Sequence, residues 1–249
     1  MEKNELFDLD DVTTLSFDQL KKYAVDMGRI YQSEKNKRKD LEIAKDKLQE
    51  SYRETINRLV IASEYRDEDT GDHVVRMAAY CALIAEKHGL PEAEVEQIHI
   101  AAPMHDVGKI GIPDGILLKP GKLTSEEFET IKSHTLIGAK ILEGSSSEIL
   151  RLATEIALTH HEKWNGKGYP NGLSGTAIPI AGRIVAIADV FDALTSKRPY
   201  KDAFPVEVAC DIIKKERGEH FDPELADVFL NNMDVVLKIK AKTTPAGEK

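Results

Sequence analysis

Four histidines of this 249-residue chain fall where helical spacing puts apolar side chains, and that limits the fold more than any other feature. His73 shares a helix face with Met77, Tyr80, Cys81 and Ile84, and His105 shares one with Ile98, Ala101 and Ala102. His134 lies in line with Ile131, Gly138 and Ile141, and His160 stands one turn beyond Ile156 and Ala157. A lone histidine on such a face is ordinarily a hydrogen-bonded core residue. Four of them in one domain call for a common reason. Two carboxylates show the same anomaly: Asp106 follows His105 directly, and Asp189 interrupts the apolar run RIVAIADVFDAL. A carboxylate inside a core helix is costly unless it is paired or bound to a cation. An ion pair with Arg183 or Arg198 would account for Asp189 but not for the histidines pointing inward beside it. His88 and His99 are read as ordinary residues.

The intervening sequence predicts an all-α fold. No strand alternation is sustained, and helical patterns alternate with glycine and proline breaks. Val74 to His88 reads as a helix that stops at Gly89, and Pro91 opens the next, which runs to about Gly108. A loop, KIGIPDGILLKPGK, follows it. Thr124 and Glu127 form a capping box for a third helix. Further helices are expected over about 146–161, 180–196, 205–217 and 223–232.

Residues 1–60 form a separate N-terminal segment. From about 18 to 60 it is helical, with Leu20, Met27, Leu41, Leu48 and Thr55 on one seven-residue frame and Tyr23, Ile30 and Ala44 three residues on. Either a solvated single helix or a dimerising coiled coil satisfies that pattern, and SEKNKRKD makes its middle polar. The domain proper is expected over 61–235, with a flexible tail over 236–249.

Composition narrows the partners. A formal net charge of -9 argues against tracking a long nucleic-acid backbone. No run of about 18 apolar residues occurs, so no membrane span is expected. Only two cysteines occur, Cys81 and Cys210, far apart and in no metal spacing, and no signal peptide is visible; a cytoplasmic protein is the expectation.

His73, His105, Asp106, His134, His160, His161 and Asp189 are therefore candidate metal ligands. Imidazole nitrogen and carboxylate oxygen without sulfur suit iron, manganese or zinc, with iron or manganese preferred over magnesium. Seven ligands exceed what one catalytic ion takes and fit two divalent ions bridged by a carboxylate. Two ions about 3.5–4 Å apart are suited to breaking a phosphodiester, because they generate a hydroxide nucleophile and share the charge of the displaced group. Adjacent residues on a helix point about 100° apart, so His160 and His161 suit one ion each.

In this order the residues match a family. His73, the HD pair at 105–106 and Asp189 resemble the HD superfamily of metal-dependent phosphohydrolases, an all-α helical bundle. GKGYP at 166–170 is similar to the HD-GYP family of cyclic di-GMP phosphodiesterases. The resemblance covers roughly 62–232, through RDEDTGDHVVRM, MHDVGKIGIPDGILLKPGKLT, IKSHTLIG, HHEKWNGKGYPNGL, RIVAIADVFDALTSKRPYK and HFDP. It implies hydrolysis of cyclic di-GMP to linear pGpG, or onward to GMP. Asp106 would be the bridging carboxylate and Lys109 would stand near the scissile phosphate. Arg198 and Lys201 would hold the second phosphate or a guanine, and Tyr169 would lie beside the substrate.

Asp69 stands four residues before His73, where some members carry a glutamate tied to a third metal. The aspartate is one methylene shorter, so two ions are expected, and Asp69 is read alternatively as orienting His73. Other readings are a regulatory module that binds a cyclic dinucleotide without cutting it, and a phosphodiesterase for another cyclic dinucleotide such as cyclic GMP-AMP. The helix at 18–60 would serve a homodimer or a signalling partner.

Overall fold

A computed structural model describes residues 17–64, 71–196 and 202–243. The chain divides into two compact units, Met1–Glu54 and Thr55–Lys249. Among the described residues there is no strand, only two isolated bridges, Asn165 with Ser174 and Arg217 with Phe221.

The first unit is the greater part of α1, Phe17–Glu64, a helix free of proline. Leu20, Tyr23, Met27, Ile30, Leu41 and Leu48 on it are all exposed. The last turns of α1 belong to the second unit, where Ile56 and Val60 are buried in the core.

The second unit is built around α2, Gly71–His88. Gly89, at φ +94°, ends it as expected: its amide bonds Glu86 O while the Leu90 amide reaches back to Ala85 O, a Schellman closure. The helix packs against α3 (Glu92–Ala101), α8 (Ile180–Thr195), α10 (Pro223–Asn231) and α11 (Met233–Thr243). Tyr80, Phe191 and Phe229 meet edge-to-face at its centre, with centroids 5.0–6.4 Å apart. Each fully buried side chain of this size contributes about 1.5–3 kcal/mol.

Between α3 and α8 the chain makes a 3-10 turn, Ala102–Met104, a second one, Val107–Gly111, and then α4 (Asp114–Leu117), α5 (Ser125–Lys132), α6 (His134–Leu142) and α7 (Glu148–Thr159). After α8 comes α9, Val206–Lys215.

The structure corrects four boundaries. The second predicted helix stops at Ala101, because Pro103 brings no N–H to continue the ladder, so His105 sits in a turn and not on a helix face. The predicted loop after Gly108 contains α4. The third predicted helix has its capping box at Thr124, but it breaks at Ser133, whose hydroxyl takes the Thr130 carbonyl. His134 therefore opens a new helix, buried with Gly138, Ala139 and Leu142 while Ile141 is exposed. Finally, the polar tail placed from 236 begins inside α11. Val236 is fully buried there, and Lys240 Nζ donates to Thr195 O at 2.8 Å.

Candidate metal centre

The seven predicted ligands come from five places in the chain and meet in one pocket. His73 lies in the first turn of α2, and His105 and Asp106 lie between the two 3-10 turns. His134 opens α6, His160 and His161 end α7, and Asp189 lies midway along α8. Close backbone approach makes this possible. A Cβ on Gly108 would overlap His134 O and Gly138 N, so only glycine lets the turn carrying Asp106 settle on the helix carrying His134.

The side chains form two groups. Asp106, His134, His160 and His161 each offer one ligand atom within 4.8 Å of the others, and so do His73, His105 and Asp189, so His160 and His161 fall in one group and do not divide between two as their helical spacing suggested. The Asp106 carboxylate faces both. Its Oδ1 lies 3.1 Å from His134 Nε2 and 3.5 Å from His160 Nε2. Its Oδ2 lies 3.2 Å from His105 Nε2 and 2.9 Å from Lys109 Nζ. Asp189 Oδ1 stands 3.9 Å from His73 Nε2 and 4.0 Å from His105 Nε2. Arg183 is not its partner, since that guanidinium bonds Asp222 at 2.6 Å.

The tautomers follow from the outer contacts. Nδ1 of His105, His134 and His160 donates to the carbonyls of Ala102, Ile131 and Ile156 at 3.1, 2.7 and 3.1 Å. His73 Nδ1 lies 2.7 Å from Asp192 Oδ2. With the proton on Nδ1, each Nε2 presents a lone pair to the pocket. The pocket is thus lined by acceptors that face acceptors: His134 and His160 bring their Nε2 atoms to 3.4 Å, and Asp106 Oδ1 is buried without a hydrogen-bond donor. Such an array repels itself unless cations lie within it. The donors fit two divalent ions. Two carboxylates and five neutral imidazoles leave two bound dications with an excess positive charge, which favours a phosphodiester anion.

Electrostatics keep Asp106, His160 and His161 in their binding forms, whereas at His73 burial is outweighed by the Asp192 carboxylate, which raises that imidazole. Burial would raise the Asp106 carboxyl, but the Lys109 ammonium 2.9 Å away holds it well below the usual carboxylate range. Burial, then the neighbouring His160, keeps His161 well below the usual histidine range, and burial lowers His160 as well. Both rings are therefore neutral near pH 7, as ligands must be.

Two buried carboxylates escaped sequence reasoning. Asp192, fully buried, binds His73 and accepts a two-pronged bond from Arg76 at 2.7 and 2.8 Å. Its place one turn after Asp189 was a usable signal. Glu162 accepts the amides of Asn171 and Leu173 at 2.7 and 3.0 Å and so closes the glycine-rich loop on itself. The loop is further pinned where Trp164 and Asn165 donate to His220 O and Glu219 O. A Cβ on Gly168 would lie 2.5 Å from Glu162 Cα, so a bare backbone is required there. The outcome is that the Tyr169 ring lies over His161, centroids 4.7 Å apart. Lys109 and Tyr169 thus border the pocket. Asp69, Arg198 and Lys201 lie outside the described residues.

Comparison with known proteins identifies the family. A family profile described as HD domain matches residues 42–225. A cyclic di-GMP phosphodiesterase of Thermotoga maritima is 53% identical over 177 residues, 71% of this chain and 48% of that protein. The cyclic di-GMP phosphodiesterase response regulator RpfG of Xanthomonas campestris is 49% identical over 74% of this chain and 49% of its own length. The 3'3'-cGAMP-specific phosphodiesterase 2 of Vibrio cholerae is 47% identical over 78% of this chain and 37% of its own. The chain thus spans half or less of the length of these curated relatives. Among solved structures, an HDG"Y"P protein from Bdellovibrio bacteriovorus superposes with a TM-score of 0.53 at 19% identity, covering 67% of this chain and 54% of that one. A cyclic GMP-AMP specific phosphodiesterase of Vibrio cholerae superposes with a TM-score of 0.50 at 19% identity, covering 77% and 54%. At that identity these two speak for the fold alone.

Proposed function

This chain belongs to the HD domain family, and on that premise we propose that it is a metal-dependent phosphodiesterase that opens cyclic di-GMP to linear pGpG. The observation that carries the reading is Asp106, one carboxylate turned toward two separate groups of lone pairs. In this reading His73, His105 and Asp189 would hold one ion and His134, His160 and His161 the other, with the Asp106 carboxylate, which faces both groups, serving each. Iron or manganese suits this imidazole-rich set better than magnesium. When bound, the ions supply the water-derived nucleophile and the Lewis acidity that in-line displacement at phosphorus requires.

The protein's own groups do the rest. The four Nδ1 donations fix the imidazoles with Nε2 inward. Lys109, 2.9 Å from Asp106 Oδ2, places a positive charge where the phosphoryl oxygens gain negative charge. Tyr169, set by the closed loop, would lie beside the substrate. Arg198 and Lys201 would hold the second phosphate.

Protein purified anaerobically with iron or manganese is expected to convert cyclic di-GMP to the linear dinucleotide. Tight binding with no product would point instead to a regulatory binding module. A second reading, cyclic GMP-AMP as substrate, draws on the 47% identity to the cGAMP-specific relative. Competition between the two dinucleotides decides it, with kcat/KM expected to favour cyclic di-GMP.

Partners follow from the first unit. The exposed apolar seam of α1 supports self-association as a coiled coil, or docking of a signalling protein. Sedimentation of the full chain is expected to give a dimer, and a chain starting at Val60 is expected to give a monomer. Monomeric mass in both would remove the dimer.

A further inference from the structure

The aromatic rings do not stop at the pocket. From His160 the centroids step 4.0 Å to His161, 4.7 Å to Tyr169 and 6.4 Å to Phe128 on α5. Phe128 and Tyr169 stand at 81° to one another and make a corner. Phe128 is 44% exposed and lies outside the buried core. Lys132, one turn along α5, places Nζ 5.0 Å from the Phe128 centroid and 5.5 Å from that of Tyr169. Its ammonium also pairs with the exposed Glu129 at 2.6 Å. The Thr124 capping box and the Lys119–Glu127 ion pair at 2.6 Å fix the first turn of this helix, so the corner is carried on a firm support.

We infer that Phe128 and Tyr169 form a stacking platform for a nucleobase of the substrate, with Lys132 at its rim. The inference rests on the phosphodiester reading above, since it needs a phosphate on the ions and a base one nucleotide's reach away. Three features carry it. A wetted aromatic face lies next to a phosphate-binding pocket and is joined to it by contiguous rings. Bases stack on aromatic faces whatever their identity, because each has a π-face. A lysine at the rim adds hydrogen-bond donors, which match the O6 and N7 acceptors of guanine, whereas adenine shows an amino donor beside its N7. A base entering the corner replaces the ammonium over the Phe128 ring, and the flexible lysine turns to the base edge. The platform thus accepts a base by stacking, and the lysine favours guanine over adenine.

The test uses the metal-loaded full chain and a rapid-mixing binding assay, with product chromatography on the same samples. In Phe128→Ala the Kd for cyclic di-GMP is expected to rise roughly 5- to 150-fold, the range that loss of one base–aromatic stack covers. The Kd for inorganic phosphate serves as the reference and should rise far less. Phe128→Trp restores cyclic di-GMP affinity. Lys132→Met narrows the preference for cyclic di-GMP over cyclic di-AMP. An unchanged cyclic di-GMP Kd in Phe128→Ala, or an equal rise for phosphate, overturns the platform even if turnover persists. Wild-type binding that depends on Phe128 but yields no product supports the platform and overturns the phosphodiesterase reading. Failure of the wild type to bind cyclic di-GMP overturns both.

Discussion

Asp106→Asn is expected to release both metal ions while leaving the fold intact. The carboxylate turns one oxygen toward His134 and His160 and the other toward His105 and Lys109, so it is the side chain that stands between the two groups. Loss of a residue that merely orients a ligand costs about 10–100-fold in metal affinity, and loss of a shared ligand costs more. The amide is nearly the same size and brings an N–H into a pocket lined by lone pairs. The metal-free variant should therefore be as stable as the metal-free parent, or more so. Metal analysis after dialysis against a weak chelator, together with urea denaturation of both metal-free proteins, checks the two halves. Full metal content in Asp106→Asn would sink the bridging role. Loss of metal through unfolding would show as a lowered urea midpoint.

Asp192→Ala is expected to be the most destabilising single change beside the pocket. The residue is fully buried and neutralises Arg76, itself 6% exposed. Burial alone would raise its carboxyl, but the bonds from Arg76 and His73 hold it below the usual carboxylate range. Removing one partner of such a pair leaves a buried charge unmatched, at a cost of about 3–5 kcal/mol. For a unit of this size that corresponds to a fall in Tm of roughly 6–20 °C. Because the lowered carboxyl favours folding while ionised, this stabilisation is present above the unfolded carboxylate range and is lost as pH falls through the folded one. Asp192→Asn separates the two roles. It keeps a hydrogen bond for His73 but loses the charge, so ion affinity at the His73 group should fall about 10–100-fold. Calorimetric Tm and metal titration of both variants read this out. An unchanged Tm in Asp192→Ala would mean that Arg76 finds another partner.

Much of the pocket was legible because local periodicity reports which way a side chain points. His73, His160 and Asp189 were placed inward by their neighbours and meet in the pocket; His134 meets them there although the helix breaks before it and Ile141, on its supposed face, is exposed. His105 reached the same place for a different reason, since Pro103 turns the chain before it. Features set by distant contacts were not legible. Nothing near Asp192 announces that Arg76 and His73, more than 110 residues earlier, will close on it. The hold of α11 on the core depends on Val236 and on Lys240 reaching the end of α8, so its residues read as a plain polar tail. The break at Ser133 is a contest between a hydroxyl and the helix ladder that residue type alone does not decide. Close packing at Gly108 likewise depends on a partner helix, although a glycine two residues after the HD pair was visible.

The central claim is that one carboxylate joins two ions, and magnetic coupling between those ions reports it most directly. Protein loaded with manganese should hold two equivalents per chain and give an electron paramagnetic resonance spectrum with the halved hyperfine spacing of an exchange-coupled pair. Asp106→Asn should abolish that signal. Two equivalents with the spectrum of isolated manganese, or a single equivalent per chain, would contradict the account.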